Sequence, residues 1–297
     1  MNEIIELFWL SPAIFAVAIF LLGLIIGSFL NVVIYRLPIM MERAWRQQCA
    51  ELEDREYEAQ EAFSLIRPRS ACPGCKRPIR AIENVPVISW LVLRGRCAGC
   101  KTAISIRYPV IEILTGVLSA VVAWRFGPTW ETPAALVLTW SLIALSGIDF
   151  DHKLLPDAIT LPLLWLGLLL SVFHQQVDAQ QLFIDPRSAI IGAVAGYMTL
   201  WTVYQLFKLV TGKEGMGFGD FKLLGALGAW LGWTLLPLIV LLSAVVGAIV
   251  GSGLMLLARH GREVPIPFGP FLATAGWIAL MWGDTLTEQY LRITGMS

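Results

Sequence analysis

Charge is what this chain has least of. Only 15% of its 297 residues are charged against 57% hydrophobic, and the 22 basic and 22 acidic side chains cancel. That excludes a global basic field for nucleic acid, and it excludes a soluble globular domain, which needs far less apolar surface. Histidine is also scarce: there are 3, and none stands in a His-Glu-x-x-His pair. Neither a Gly-x-Ser-x-Gly elbow nor a glycine-rich strand–helix fingerprint occurs. Zincin, serine-hydrolase and Rossmann-type cofactor chemistry therefore lack their residues. The class that remains is an all-α polytopic membrane protein, consistent with a mean hydropathy of +0.69.

A membrane span needs about 20 apolar residues to cross roughly 30 Å of hydrocarbon. On that basis helices are predicted near 10–35, 108–126, 133–148, 158–174, 188–210, 221–235, 237–258 and 267–283. That is about eight transmembrane helices, or seven if the weakly marked turn at Leu235-Leu236-Pro237 does not separate two of them. The first run, Phe8 to Leu37, carries Glu3 and Glu6 where a signal peptide would be positive, and reads as an uncleaved span. Residues 36–107 hold 13 of the 22 Lys and Arg, so this segment is predicted to be cytoplasmic. Threading the spans from there puts 149–157, 212–220 and 259–262 on the same side. The expected organisation is a first span (1–37), a cytoplasmic insert (38–107) and a multi-span remainder (108–297).

Within the insert, Glu51 to Glu61 reads as a solvated helix with a Glu51–Arg55 pair. Next comes Cys72-Pro-Gly-Cys75, then 21 residues, then Cys97-Ala-Gly-Cys100. Two Cys-x-x-Cys turns at this spacing form a four-cysteine metal signature, because each turn aims two thiolates at one ion. A redox dithiol pair is the rival, but nothing nearby resembles a thioredoxin unit. Zinc is the expected metal, and four protein ligands close its shell, so its role is structural.

Two aspartates stand out in the apolar remainder. Asp149 lies in the run from Gly147 to Asp157, and Asp220 closes Gly215-Met-Gly-Phe-Gly-Asp220. A charge near hydrocarbon costs about 2.5–3.5 kcal/mol on insertion scales, so such residues are functional candidates by default. Both follow or open a span on the same predicted side. Peptide hydrolysis by paired carboxylates uses one ionised group to activate water and one protonated group to polarise the carbonyl. Asp149 and Asp220 are thus the candidate catalytic dyad of a membrane-embedded aspartyl protease. Gly215, Gly217 and Gly219 are expected to give a backbone that takes positive φ and admits close approach. Asp157, after Pro156, is expected to cap the next helix, Asp151 to be solvated or to support the site from behind, and the histidines (His152 near the site, His174 and His260 in loops) to have ordinary surface roles.

These parts resemble the bacterial prepilin leader peptidases, the type IV prepilin peptidase family of Gly-x-Gly-Asp aspartyl proteases. The resemblance is carried by the Gly23-x-x-x-Gly27-Ser28 to Pro38 segment, the four-cysteine insert, Asp149 to Asp157 and Gly217-Phe218-Gly219-Asp220. It implies a bifunctional enzyme of the bacterial inner membrane with its active site on the cytoplasmic side. Members remove a basic leader from prepilin and pseudopilin precursors, usually after Gly and before Phe. They then N-methylate the new terminus with S-adenosyl-L-methionine. By position, Asp149 and Asp220 take the catalytic roles, and Cys72, Cys75, Cys97 and Cys100 the zinc-ligand roles. The methyl-donor site is not marked by any motif. Asn31, Tyr35 and Arg36 are candidates for substrate or cofactor contacts, and Gly23-x-x-x-Gly27 reads best as a helix-packing face. The alternative from other classes is a transporter or a pilus-assembly scaffold with a structural zinc domain.

Overall fold

The computed structural model describes residues 8–9, 11–55, 62–173, 184–258 and 267–295. It divides into two compact units, Met1–Pro128 and Thr129–Ser297. His174, His260 and the 259–262 segment lie outside the described residues, as does most of the predicted 51–61 helix.

In the first unit α1 runs unbroken from Pro12 to Leu52, 41 residues, with Pro at its first turn and Pro38 inside it. The helix therefore continues through the start of the insert instead of ending at Leu37. Beyond Leu52 the chain turns, and Arg55 pairs with Glu53 at 3.2 Å rather than with Glu51, whose carboxylate accepts from Gln47. After the insert, with a short α2 (Ile88–Val92), α3 spans Arg107–Phe126 and packs on α1. A Cβ on Gly23 would stand 2.8 Å from the Gly116 Cα, and one on Gly27 2.7 Å from the Glu112 Cα. Rising numbers on α1 meet falling numbers on α3, so the helices are antiparallel and their small residues form the seam expected of the Gly-x-x-x-Gly pair. The hydropathy-based division groups 108–126 with the later spans, whereas contacts place α3 with α1.

The second unit contains α4 (Glu131–His152), α5 (Asp157–Ser171), α6 (Pro186–Thr211), α7 (Phe218–Leu231), α8 (Leu236–Ala258) and α9 (Gly269–Thr294). Its centre is α7, which is buried from Asp220 to Leu231 except at Lys222. Small residues again bring backbones together: a Cβ on Gly228 would lie 2.1 Å from the Gly192 carbonyl of α6. Trp230 donates its indole N–H to the Leu163 carbonyl of α5 at 2.8 Å, and Gly276 of α9 receives Leu227. With 14 residues, α7 is about 21 Å long at 1.5 Å per residue, short of a full crossing.

The eight predicted segments each coincide with a helix, and no strand occurs among the described residues. Among the described residues, five stretches are long and apolar enough to cross a membrane by length and composition: Pro12–Leu52, Arg107–Phe126, Glu131–His152, Pro186–Thr211 and Trp233–Gly253. The break between the sixth and seventh segments comes earlier than Leu235-Leu236-Pro237. Gly232, at φ +81°, ends α7, and a 3-10 turn over Trp233–Leu235 leads into α8.

Candidate active site

Asp149 sits in the last turn of α4, and its carbonyl accepts the backbone N–H of Lys153, the left-handed residue that closes the helix, at 2.8 Å. Asp220 sits in the first turn of α7, after Gly217 at the N-cap. Both side chains are buried, with 5% and 8% of their surface exposed, and Asp220 lies within electrostatic reach of Asp149. The fold thus brings together the two acids singled out by their apolar surroundings. An aromatic cluster fixes the α7 terminus: Phe218 and Phe221 pack on Tyr204 of α6 with ring centres 5.5 and 5.6 Å away.

A third element completes the site, and the sequence reading missed it. The backbone N–H of Gly269, at the start of α9, donates to Asp149 Oδ2 at 3.0 Å. A Cβ there would stand 2.6 Å from that oxygen, so only glycine fits. The signal was Pro267-Phe268-Gly269-Pro270, a rigid turn at a helix start. Leu155 wedges between this turn and α7, since a Cβ on Gly219 would meet its Cβ at 2.7 Å. Gly219 therefore serves close approach as expected. The positive φ expected of Gly215, Gly217 and Gly219 does not occur; it falls instead on Gly212, at +70°. Asp157 is the first residue of α5 and not its cap. Its carboxylate binds Lys222 of α7 at 2.7 Å, a pair no local pattern announces. Asp151 and His152 are exposed.

In the insert, the two Cys-x-x-Cys turns are structural copies. Lys76 N–H donates to Cys72 O and Lys101 N–H to Cys97 O, at 2.9 and 3.1 Å. Cys72 N–H reaches Arg77 O and Cys97 N–H reaches Thr102 O, and an isolated bridge flanks each turn, Ala71 with Pro78 and Arg96 with Ala103. Lys76 and Lys101 both take φ near +60°, at 58° and 60°. The first cysteine of each turn is buried and the second exposed. All four sulfurs lie within 4.8 Å of one another, close to the separation of about 3.8 Å set by tetrahedral Zn–S bonds of about 2.3 Å. The hydroxyl and backbone of Thr102 hold the Cys100 thiol down to about 6, whereas Cys75, despite the Arg77 backbone N–H, is pushed up to about 11 by the neighbouring thiols, Cys100 first. The donor set fits zinc. Between the copies, the Arg80 N–H and the Arg77 guanidinium hold the Glu83 carboxyl below the usual carboxylate range.

Asn31, Tyr35 and Arg36 line one cleft of about 440 Å³ inside the first unit. The Asn31 amide donates to the carbonyls of Gly27 and Tyr108, each at 3.2 Å. Arg36 is buried and donates to Ser64 O and Pro68 O, each at 2.8 Å, which ties the insert to α1 and gives this side chain a structural task. Tyr35 is exposed. The same cleft holds Glu112, absent from the sequence reading, whose Oε2 accepts the Val87 N–H at 2.7 Å. Val87 has φ +61° and ψ −51°, and Ile88 N–H folds back to Pro86 O at 2.5 Å, a γ-turn of the rare strained kind. For a β-branched residue that conformation costs about 1–3 kcal/mol, and such strain collects at functional sites.

Two family models match the chain, the Bacterial Peptidase A24 N-terminal domain over residues 21–126 and the Type IV leader peptidase family over 136–252. No solved structure matches it. A protein of Stutzerimonas stutzeri called prepilin leader peptidase/N-methyltransferase is 55% identical over 283 residues, covering 95% of this chain and 96% of its own. Proteins of that name from Aeromonas salmonicida (strain A449) and Neisseria gonorrhoeae are 54% and 48% identical, over 98% and 89% of this chain and 99% and 90% of theirs. With that similarity running over nearly the whole of both chains, and with both halves matched by their own family models, the chain belongs to the type IV leader peptidase family.

Proposed function

We propose that the chain removes the leader peptide from type IV prepilins and type II secretion pseudopilins and then N-methylates the new N-terminal residue. Membership of the family supports both activities, since the similar proteins carry both in their name. The transporter and scaffold alternatives have no comparable support. The observation that carries the hydrolytic half is the meeting of Asp149 and Asp220, buried carboxyl groups from separate helices within electrostatic reach.

In this reading the pair holds one proton between two carboxyl groups, as close like charges require. The ionised member takes a proton from water, which attacks the scissile carbonyl carbon. The protonated member donates to the carbonyl oxygen as negative charge grows there. The proton gained from water then passes to the leaving amine, so the peptide bond is replaced by one carboxylate and one amine. The Gly269 N–H holds Asp149 in place and supplies a fixed donor beside the reacting atoms.

Zinc is placed at Cys72, Cys75, Cys97 and Cys100, where it would hold the insert's two turns together. Residues 38–107 with α1 and α3 form the methyl-transfer half, and the second unit the peptidase. S-adenosyl-L-methionine supplies an electrophilic methyl group. The cleft that Asn31 and Tyr35 line suits such a donor, because its aromatic faces attract a sulfonium cation. In the same reading the enzyme is a multi-pass protein of the bacterial inner membrane with its active site on the cytoplasmic side, as expected from the basic insert.

The test uses the purified full chain, a precursor whose basic leader ends in Gly before Phe, and S-adenosyl-L-methionine, read by mass spectrometry. Leader loss with one added methyl is expected, and neither Asp149→Ala nor Asp220→Ala should release the leader. Cleavage surviving both substitutions overturns the aspartyl mechanism, and cleavage without methylation removes the transferase half.

A further inference from the structure

Glu112 is a carboxylate that leader removal does not use. It projects from α3 into the cleft of the first unit with 8% of its surface exposed. Its partners are neutral: the Val87 N–H at 2.7 Å and the Ser28 hydroxyl. It forms no ion pair with a Lys, Arg or His among the described residues. The two arginines that line the same cleft are committed elsewhere, Arg36 to the carbonyls of Ser64 and Pro68 and Arg77 to Glu83. An ionised carboxylate buried with hydrogen bonds and no counter-charge is costly to keep, and its natural complement is a cation delivered from outside. The strained γ-turn at Val87 aims its N–H at this carboxylate, a local expense that makes sense where a group must be held in one orientation. The Gly27 seam does the same from the other side, because the close approach of α1 to α3 brings Ser28 and Asn31 to the cleft.

We propose that this cleft is the site of methyl transfer, and that Glu112 receives the N-terminal ammonium of the cleaved product and takes its proton. The inference rests on the methyl-transfer reading above and assigns it a residue. An ammonium has no lone pair and cannot accept a methyl group, so one proton must leave first. Glu112 accepts that proton, and the freed nitrogen lone pair forms the new N–C bond. The C–S bond of the methylsulfonium donor breaks with its electron pair staying on sulfur, leaving a neutral thioether. The product is a methylammonium, and the proton on Glu112 returns to solvent. Trp90, Tyr108 and Tyr35 provide the aromatic walls, fitting an apolar first side chain beside the amine. The other titratable groups facing the cleft are Tyr35 and Arg36 from α1, Tyr108 from α3, and Arg77, Glu83, Cys72 and Cys97 from the insert.

The test uses the zinc-loaded full chain and a peptide that already begins with Phe, so leader removal is not needed. Calorimetry in the presence of S-adenosylhomocysteine compares this peptide with its N-acetylated form. The wild type should bind the free amine at least tenfold more tightly, and Glu112→Gln should lose that preference while binding the acetylated form as before. With S-adenosyl-L-methionine, Glu112→Gln should methylate at least a hundredfold more slowly near pH 7. Its residual rate should rise about tenfold per pH unit until the peptide amine is free near pH 8. Glu112→Asp should recover at least a tenth of the wild-type rate. Equal binding of free and blocked peptide by the wild type overturns the proposal, whether or not the variants fold. So does a Glu112→Gln rate within threefold of wild type. A wild type that binds the free amine but never methylates it would instead remove the methyl-transfer reading on which the proposal rests.

Discussion

The four thiols of the insert come from two local copies, 71–79 and 96–104, each closed by its own turn and its own backbone hydrogen bonds. Asp149 and Asp220 come instead from the ends of α4 and α7, and the group that steadies Asp149 comes from the start of α9. The thiol cluster is therefore organised by short-range geometry plus a metal, whereas the acid pair is organised by the packing of a whole helical unit. One arrangement tolerates change at a distance and fails when a ligand is lost. The other is expected to fail when any backbone beside it is pushed.

The sharpest way to separate them is to neutralise an acid. Asp220→Asn should lower leader removal by about a thousandfold while leaving zinc content unchanged by elemental analysis. Gly269→Ala comes next, because the added carbon would stand 2.6 Å from Asp149 Oδ2. Cleavage should fall about a hundredfold with the precursor still bound, as expected for a shift of about 1 Å in a reacting group. Cys72→Ser reverses the pattern: the metal should leave, the 62–106 segment should become sensitive to protease, and methyl transfer should be lost. Cleavage should then fall by less than about threefold, and a larger fall would show that the metal site supports the acid pair after all. The smallest effect belongs to Lys222→Met, which breaks the pair with Asp157. That pair is partly exposed, with 30% and 52% of the two side chains accessible, so the loss should be about 0.2–1 kcal/mol. The apparent melting temperature should drop by about 1–3 °C with cleavage nearly unchanged.

This contrast also explains what the sequence discloses. The thiol cluster is legible because both ligands of each turn lie within four residues, and the spacing alone dictates the geometry. Asp149 and Asp220 are legible for another reason, their cost in apolar surroundings. Hydropathy also locates the helices, since burial and length leave a direct trace in composition. Gly269 and Lys222 are not legible in that way. Each acts through a residue far along the chain, and glycine at a helix start or lysine on a buried helix has many other uses. Glu112 carries the same signal as the two aspartates, an acid inside the predicted 108–126 span, but its place near the charged insert reads equally as a boundary residue, and only the fold shows it facing a cleft with no cation beside it. The sixth predicted segment, 221–235, runs four residues past the end of its helix, Phe218–Leu231, and starts three residues late, for a related reason. Apolar composition continues through Gly232, and only the turn there reveals the break.

The uninterrupted α1 has a further consequence. Its 41 residues measure about 62 Å, roughly twice the hydrocarbon thickness of a bilayer. A rod of that length works as a ruler, converting residue count into elevation above the lipid. Removing one helical turn between Leu37 and Leu52 would lower its far end by about 5.4 Å, and removing a single residue would swing that end by about 100°. Over this stretch insertions and deletions should therefore matter far more than substitutions, although few of its side chains are buried.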